Sequence, residues 1–435
     1  MKSLSSLLLS SLFALCTPAA LAAPGDYDPS FGTGGYTVTY DGDHSSADDL
    51  VVDEAGNVYT AGTSVTGGTV VPVLAKYKPN GLIDGSFGVG GIVTPASLPP
   101  NVAAYSALTR FRGYLFQMIA ADDKLYVYAF NTSGVPQAWF GAGGVATFTV
   151  GTAIYPVFDI AQWGNNLAMA ASARNPATGN HDFVLVGLSL SGAPLGGFGT
   201  GGVAYSRLWS GAGARNRLTG LVFQPDGRIV AAGRAAKPGD TYDFVVGRYQ
   251  WNGTPDPTFG LAGFTRIGFA DDDFGRRVAL KKSGQIVISG STCKTIDPAA
   301  GTTYCRAGAA QLRPNGALDA TFGVGGKIEW DLYDKGVTVT DMILDDAERP
   351  VIVGQHLVDD AKSTAFVLRL KPDGWIDGSY GSGSGWVDLH YGYDANANGG
   401  VKLYKPGLIV TAGTTIKFAD PSLTLGAMTV ARHQN

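Results

Sequence analysis

Phe31-Gly32-Thr33-Gly34-Gly35 is the first of seven copies of one short motif that recur along the chain. Each copy opens with an aromatic residue, which we expect to be an apolar wedge between neighbouring repeats, and glycines follow it. Three residues before the aromatic residue, five copies have an aspartate that can bond backbone N–H groups of the turn: Asp28, Asp84, Asp256, Asp319 and Asp377. The copies begin at residues 31, 87, 140, 198, 259, 322 and 380, and those at 259 and 380 are the loosest. A repeat of this length indicates an array in which each repeat is one supersecondary unit packed against its neighbours.

The fourth repeat shows most clearly what one unit contains. Stretches rich in Val, Ile, Phe and Tyr at residues 218–223, 228–233, 244–249 and 264–267 predict four strands. Pro225-Asp226-Gly227 provides the turn between the first two strands. Four short antiparallel strands are typical of one blade of a β-propeller. The sequence therefore predicts an all-β fold, a seven-bladed β-propeller with four antiparallel strands per blade.

The two ends of the chain each hold part of a repeat. One strand, at residues 36–40, follows the first motif without three strands before it. The last repeat supplies only three strands, at residues 401–404, 408–411 and 427–432. We expect the last blade to be closed by the N-terminal strand, because this pairing removes exposed strand edges.

Residues 1–22 predict a secretory signal, since Lys2 precedes an apolar run and Ala20-Leu21-Ala22 is a small-x-small cleavage site. We expect residues 23–435 to form a single propeller domain, either periplasmic or secreted, and monomeric. No later apolar run approaches the roughly 18 residues of a membrane span. The net charge of −4, with 16% charged residues, does not favour a nucleic-acid partner.

Two cysteines, Cys293 and Cys305, lie outside the predicted signal, in a loop of the fifth repeat. An even pair in an exported chain predicts one disulfide. Closing a loop of about a dozen residues would stabilise the fold by roughly 3 kcal/mol. Two free thiols are the alternative.

Three stretches of the fourth repeat resemble a known repeat family. They are Gln224-Pro225-Asp226-Gly227-Arg228-Ile229-Val230-Ala231-Ala232-Gly233, Val246-Gly247-Arg248-Tyr249 and Asp256-Pro257-Thr258-Phe259-Gly260, and they resemble the bacterial delta-60 repeat. That repeat is similar to the propeller repeats of the NHL type and of streptogramin lyase. The resemblance implies a propeller in an exported bacterial protein. It implies no active site, because the repeat family shares no set of catalytic residues.

Aspartates gather in the loops that lead into the predicted innermost strands. Asp43, Asp49, Asp272 and Asp394 lie in loops that a closed ring would bring together as an acidic arc. Oxygen ligands are those that Ca²⁺ takes, so the arc could bind Ca²⁺ or a cationic or polyhydroxylated ligand. The alternative is a rim of ordinary solvated Asp-rich turns.

Other candidate ligand-binding side chains lie in the same set of loops. Arg215 and Arg217 are expected across the ring from the acidic arc, and the aromatic residues Trp209 and Tyr391 could line a sugar or peptide groove. His44 and His390 approach the arc and could form an acid–base set with its aspartates. A lone histidine beside an aspartate more often has a structural role.

These patterns favour a binding or scaffold module that presents one loop-rich face to a protein or glycan partner. The alternative is a metal-assisted lyase or hydrolase with its site at the mouth of the channel. No cofactor is predicted apart from possible Ca²⁺, because zinc-type clusters and Gly-x-Ser-x-Gly nucleophile motifs do not occur in the sequence.

Overall fold

The computed structural model describes residues 22–155, 159–208, 215–236, 241–269, 271–297, 302–333, 336–359, 362–393, 395–420 and 423–435. The predicted signal segment lies outside these residues apart from Ala22, and so do Trp209 and Asp394. Strands dominate the described part of the chain, with one short 3₁₀ turn at Gly381–Gly383. No helix in this part is long and apolar enough to cross a membrane.

The second to sixth repeats each form a four-stranded antiparallel sheet. Neighbouring strands in each sheet follow one another in the sequence, and the first strand is the innermost. The strands of the second and third repeats are β7 (Val102–Phe111), β8 (Tyr114–Ala121), β9 (Lys124–Asn131), β10 (Val145–Thr149), β11 (Asp159–Trp163), β12 (Asn166–Arg174), β13 (His181–Ser189) and β14 (Val203–Ser206). Those of the fourth to sixth repeats are β15 (Asn216–Phe223), β16 (Ile229–Ala236), β17 (Tyr242–Tyr249), β18 (Phe264–Ile267), β19 (Asp272–Leu280), β20 (Ile286–Asp297), β21 (Thr302–Leu312), β22 (Lys327–Trp330), β23 (Val337–Leu344), β24 (Pro350–Leu357), β25 (Ser363–Arg369) and β26 (Trp386–Leu389).

The first and last repeats share one nine-stranded sheet. Its strands are β1 (Tyr36–Thr39), β2 (His44–Ser45), β3 (Asp49–Val52), β4 (Val58–Thr66), β5 (Thr69–Tyr77), β6 (Ile92–Val93), β27 (Ala395–Lys405), β28 (Leu408–Asp420) and β29 (Leu423–Gln434). The predicted pairing of the N-terminal strand with the last repeat is confirmed, since β1 runs antiparallel to β29 from Tyr36–Ala431 to Thr39–Met428.

The prediction of seven blades is wrong. Across the described ranges, five blades are separate four-stranded sheets, and the remaining strands belong to the nine-stranded sheet. The cause is β2, two residues long, which pairs parallel with β29 and antiparallel with β4. Backbone hydrogen bonding therefore continues from the last repeat into the first, where the sequence predicted only a loop.

The sheets are arranged in a circle around one axis. The first strand of each repeat contacts the first strand of the next, from β3 through β7, β11, β15, β19 and β23 to β27, and β27 contacts β3 again. Apolar cores fill the spaces between neighbouring sheets, as where Val230 and Phe244 of one sheet meet Ile286 and Ile288 of the next. This radial arrangement of antiparallel sheets around a channel is a β-propeller.

The recurring motif joins each repeat to the one after it. Its aromatic side chain is fully buried, and the N–H of the glycine after it donates to a turn carbonyl of the neighbouring repeat. This bond is made by all seven copies: Gly32 to Asn80, Gly88 to Ser133, Gly141 to Ser191, Gly199 to Asn252, Gly260 to Asn315, Gly323 to Asp373 and Gly381 to Pro24. A Cβ at Gly374, in one such turn, would lie 2.8 Å from the Phe322 ring. The predicted role of the aromatic residue as a wedge between neighbouring repeats is confirmed.

An arginine and an aspartate fix the wedge in the fourth repeat. The Arg248 side chain donates from Nε to Asp256 Oδ2 at 2.8 Å, and its guanidinium lies 4.8 Å from the centre of the Phe259 ring. The other oxygen of Asp256 accepts from the Thr258 N–H at 3.0 Å, as predicted for an Asx-type turn. We call this arrangement the clamp. It recurs as Arg369–Asp377 beside Tyr380 and as Arg432–Asp28 beside Phe31.

The predicted disulfide between Cys293 and Cys305 is confirmed. The two residues face each other on β20 and β21 and therefore lie in paired strands, not in the loop that the sequence predicted. The bond ties together the outer ends of two long strands of the fifth repeat.

We expect Phe259→Ala to lower the free energy of unfolding by about 3–5 kcal/mol, because it leaves a cavity between two sheets. Leu261→Ala is the matched control, since Leu261 belongs to the same motif and is 81% exposed. Urea unfolding of both variants measures the difference. Equal losses in the two variants would contradict the structural role given to the aromatic residue.

Candidate functional site

The propeller has two ends that differ in their chemistry. The end where the chain enters the innermost strands is called the loop face. The opposite end, where turns join the first and second strands of each repeat, is called the turn face. Side chains from several repeats meet in the channel between these faces and again on the loop face. Most of the predicted site residues lie on the loop side.

Three aspartates occupy equivalent places on the innermost strands, and Asp49 and Asp341 are buried whereas Asp159 is half-buried. Asp49 begins β3, Asp159 begins β11, and Asp341 lies on β23. Each carboxylate accepts the N–H of the following residue and, with its second oxygen, an N–H of the next innermost strand. For Asp49 these bonds come from Leu50 at 2.8 Å and from Leu108 at 2.9 Å. The aspartates therefore join innermost strands that have no ladder of backbone bonds between them.

Two cations neutralise most of this buried negative charge. Arg277 pairs with Asp159 at 2.6 Å and with Asp341 at 2.8 Å. Lys402 lies 3.3 Å from Asp49 and 3.7 Å from Asp341. Burial opposes the charge on Lys402, but Asp49 and Asp341 outweigh it and raise the pKa of the amine. Of these five residues, only Asp49 is among the predicted site residues. The signal that indicates the other two aspartates is an Asp followed by an apolar residue at equivalent places in three repeats.

These charged side chains lie at the floor of a cavity of about 800 Å³ that extends to the turn face. Its walls include Leu221, Ile343 and the stem of Lys281. The charged groups of the floor are paired with one another, whereas the rest of the lining also includes polar side chains such as Gln162, Gln224 and Lys282.

The described residues of the predicted acidic arc bind backbone N–H groups of other segments of the chain. Asp43 accepts the N–H of Gly67 at 2.8 Å, and Asp272 accepts the N–H of Tyr242 at 3.0 Å. Asp49 faces the channel as described, and Asp394 lies outside the described residues. Within the described ranges, no three His, Cys, Asp or Glu side chains are grouped as metal ligands. A Ca²⁺ site stays a prediction.

The other candidates are separated from one another. His44 is paired between β29 and β4, and burial lowers its pKa. His390 is exposed. Tyr391 is 2% exposed, and its ring packs edge-on against Tyr36 with 5.4 Å between centroids. Trp209 lies outside the described residues.

The loop face carries three arginines that converge on one tyrosine. The Arg217 guanidinium lies 4.0 Å from the centre of the Tyr155 ring, and Arg234 donates to the Tyr155 hydroxyl at 3.1 Å. Arg234 also lies 4.3 Å from the centre of the Phe274 ring. Arg276, on the same innermost strand as Phe274, adds a third positive charge near Tyr155. We call Arg217, Arg234 and Arg276 the arginine cluster.

No carboxylate among the described residues forms an ion pair with the arginine cluster. Nearby acids are engaged elsewhere, since Asp182 pairs with Arg207 at 2.7 Å and Asp243 with Arg266 at 3.0 Å. The Nε atoms of the three arginines are buried without a hydrogen-bond partner in the described part of the chain. The sequence predicts Arg217 and Arg215 as ligand-binding residues of the loop face. It does not indicate Arg234 and Arg276, because these two residues lie inside strands.

The positive potential of the arginine cluster shifts the pKa values of Arg234 and of Tyr155 beside it. Burial lowers the pKa of Arg234 to about 10, and the neighbouring Arg217 and Arg276 lower it as well, although Tyr155 opposes them. Burial raises the pKa of Tyr155, but the three arginines outweigh it and lower the pKa overall. The site therefore favours negative charge.

Part of the fourth repeat is similar to a known family. The model of the family described as "Domain of unknown function (DUF5122) beta-propeller" matches residues 224–259. No curated protein matches the chain. The resemblance to the delta-60 repeat stays a prediction.

Solved structures with similar architecture include an α-L-arabinofuranosidase and a protein bound to a segment of a ribosomal protein. An α-L-arabinofuranosidase from Fusarium graminearum is 9% identical, with a TM-score of 0.43 and coverage of 77% of this chain and 93% of that one. Sqt1 from Chaetomium thermophilum, bound to the N-terminus of ribosomal protein L10, is 11% identical, with a TM-score of 0.43 and coverage of 92% and 98%. Likenesses at this level carry no information about the function of this chain.

Asp48, beside the channel, predicts a pH dependence of stability. Its Oδ2 accepts the Ser106 N–H at 3.0 Å, yet burial raises its pKa to about 7 from 3.8. A raised carboxyl pKa means that stability is full below 3.8 and is lost as the pH rises through 7. We expect Asp48→Asn to stabilise the fold at pH 8 by at most about 4 kcal/mol, since one pKa unit corresponds to about 1.4 kcal/mol, and by almost nothing at pH 4.

Urea unfolding at the two pH values measures this difference. Asp43→Asn is the control, because Asp43 is an exposed aspartate that also accepts a backbone N–H. A gain for Asp48→Asn that is the same at both pH values would contradict the role given to burial.

Proposed function

We propose that the chain is an exported binding module that holds a protein or glycan partner on its loop face, with the arginine cluster taking an anionic group of that partner. The observation that supports this proposal is the convergence of Arg217, Arg234 and Arg276 without a carboxylate partner among the described residues. The charges of the channel, by contrast, are paired with one another.

Like charges that are partly removed from water repel one another strongly, because the local dielectric is low. An anion bound between the guanidinium groups would relieve this repulsion. Arginine also presents a planar fork of donors that matches the two oxygens of a carboxylate or the oxygens of a phosphate or sulfate. Three guanidinium groups without a carboxylate partner among the described residues make an anionic group the best match for this surface.

The cluster is also reachable. Arg234 is only 8% exposed and stacks among Tyr155, Tyr242 and Phe274, which fixes its position. Arg217 and Arg276 are half-buried and Arg215 beside them is exposed. A buried anchor with more exposed neighbours is suited to holding a group presented from solution.

The alternative of a metal-assisted lyase or hydrolase gains no further support from the described residues. The histidines proposed for it, His44 and His390, are not joined to the carboxylates of the predicted arc by an ion pair or hydrogen bond among these residues. A titration with Ca²⁺ followed by thermal unfolding remains its direct test.

The proposal is tested with two immobilised anionic polymers, polygalacturonate for the glycan case and poly-L-glutamate for the protein case, with neutral dextran alongside. We expect the wild-type chain to bind at least one anionic polymer and not dextran. Arg217→Gln and Arg276→Gln should each weaken binding about tenfold, since each removes a charge-assisted contact of roughly 1.5–3 kcal/mol.

Arg228→Gln is the matched control, because Arg228 lies on the turn side and is paired with Asp226 at 2.6 Å. It removes the same charge and should leave binding unchanged. Failure of the wild-type chain to bind either polymer, or an equal loss in Arg228→Gln, would overturn the proposal.

A further inference from the structure

A second, separate site lies near the turn face, between the sheets of the third and fourth repeats. It is a partly open cleft of about 240 Å³ beside the motif residue Phe198. Trp163 and Trp251 stand at its rim, 37% and 59% exposed. The arginine cluster lies at the other end of the propeller, so this site does not depend on the function proposed for the loop face.

The cleft exists because the third repeat has lost the clamp. In the fourth repeat, Arg248 lies eleven residues before Phe259 and Asp256 lies three before it. The residues at the same distances before Phe198 are Gly187 and Leu195. Their backbone bonds are equivalent, since Leu195 N–H donates to Gly187 O at 3.0 Å as Asp256 N–H donates to Arg248 O at 2.8 Å. Glycine and leucine thus replace the ion pair beside the ring.

Without the clamp, part of the apolar space beside the Phe198 ring is not occupied by side chains. A Cβ at Gly187 would lie 2.6 Å from the Phe198 ring, so the ring itself covers that glycine. Leu195 lines the cleft where the clamp carboxylate would be. The second repeat has lost the clamp as well, with Ala129 and Gln137 at these positions, but there Trp139 packs against Tyr114 at 5.1 Å between centroids. The third repeat keeps an open cleft.

The indole of Trp163 is held in place as one wall. It stacks on Phe223, with 6.2 Å between ring centroids and 21° between planes. It also covers Gly227, where a Cβ would lie 2.6 Å from the indole. The apolar surface of this wall is therefore rigid and presented to the cleft before any ligand arrives.

The polar groups at the cleft decide which ligand it can take. Asn166 and Asp226 are its polar side chains, and Asp226 is paired with Arg228 at 2.6 Å. A sugar ring would leave most of its hydroxyls without partners here, which is costly. A planar aromatic ring needs no such partners and gains from offset or edge contacts with Trp163, Phe198 and Phe223. Apolar cavities of roughly 150 Å³ or more bind benzene-sized rings.

We propose that the cleft of Trp163, Leu195, Phe198 and Trp251 is a binding site for the aromatic ring of a small molecule. The ring lies between the two indoles with its faces against apolar side chains.

The repeats that keep the clamp have its arginine over the motif aromatic residue, the first repeat has the Lys76–Asp84 pair, and the fifth has Gln311 bonded to Asp319. Among the described residues, only the second and third repeats lack a polar pair at these positions, and in the second Trp139 packs there.

Gly196 allows the cleft to be filled without strain. It lines the cleft, a Cβ there meets nothing within 4 Å, and its φ lies outside the left-handed range. Gly196→Leu should therefore fold and occupy the cleft. Gly85→Leu is the matched control, because Gly85 lies two residues before the motif residue Phe87, as Gly196 lies two before Phe198. Gly85 also has equally open space and lies beside an intact Lys76–Asp84 pair at 2.9 Å.

The probe is 4-fluorophenol, observed by ¹⁹F NMR line broadening, with methyl α-glucoside as a competing sugar. We expect the wild-type chain and Gly85→Leu to bind the probe with the same affinity, Gly196→Leu to bind at least tenfold more weakly, and the sugar not to compete. Absence of binding to the wild-type chain, undiminished binding to Gly196→Leu, or displacement by the sugar would each overturn the proposal.

Discussion

The contact between one buried aromatic ring and the next repeat is the interaction on which the propeller depends. Each ring packs under a turn of the neighbouring sheet, and the glycine after it donates its N–H to a carbonyl of that turn. The turn position above the ring must be glycine because a Cβ there would clash with the ring, as at Gly374 above Phe322. Because side chains make most of the other contacts between the sheets, these contacts set the angle and distance between them.

The clamp shows how a repeat can change locally without losing the fold. Where Arg248 and Asp256 are present, the arginine covers the ring and also donates to the carbonyl of Pro314 in the next repeat at 2.6 Å. Where Gly187 and Leu195 replace them, the wedge and the glycine bond remain, but the ring borders apolar space. The wedge alone is therefore enough to join two repeats, and the interface between the third and fourth repeats can hold a ligand where the clamp would be.

Charge distribution separates the channel from the loop face. In the channel, Arg277 and Lys402 are shared among three carboxylates that also satisfy backbone N–H groups, so the charges hold innermost strands together. On the loop face, arginines from two repeats meet around Tyr155 with aromatic partners only among the described residues. Paired charges stabilise the fold, whereas an unneutralised group of like charges favours an external anion.

The sequence by itself determined the repeat, the strands within it, the Asx turns such as Asp256–Thr258, the wedge, the closing pair of β1 and β29, and the Cys293–Cys305 bond. The repeat, its strands and its turns follow from periodicity and local hydrogen bonding, the closing pair follows from the incomplete repeats at the two ends, and the disulfide follows from the even pair of cysteines. Only the tertiary structure decided what depends on register between distant segments. Two residues of β2 merge the first and last repeats into one sheet, Arg277 reaches Asp159 across the channel, and Arg234 and Arg276 join Arg217. No local sequence motif marks these arginines, because charge clusters arise from packing between repeats. The cleft at Phe198 likewise depends on how the third and fourth repeats pack, and the sequence of either repeat alone does not show it.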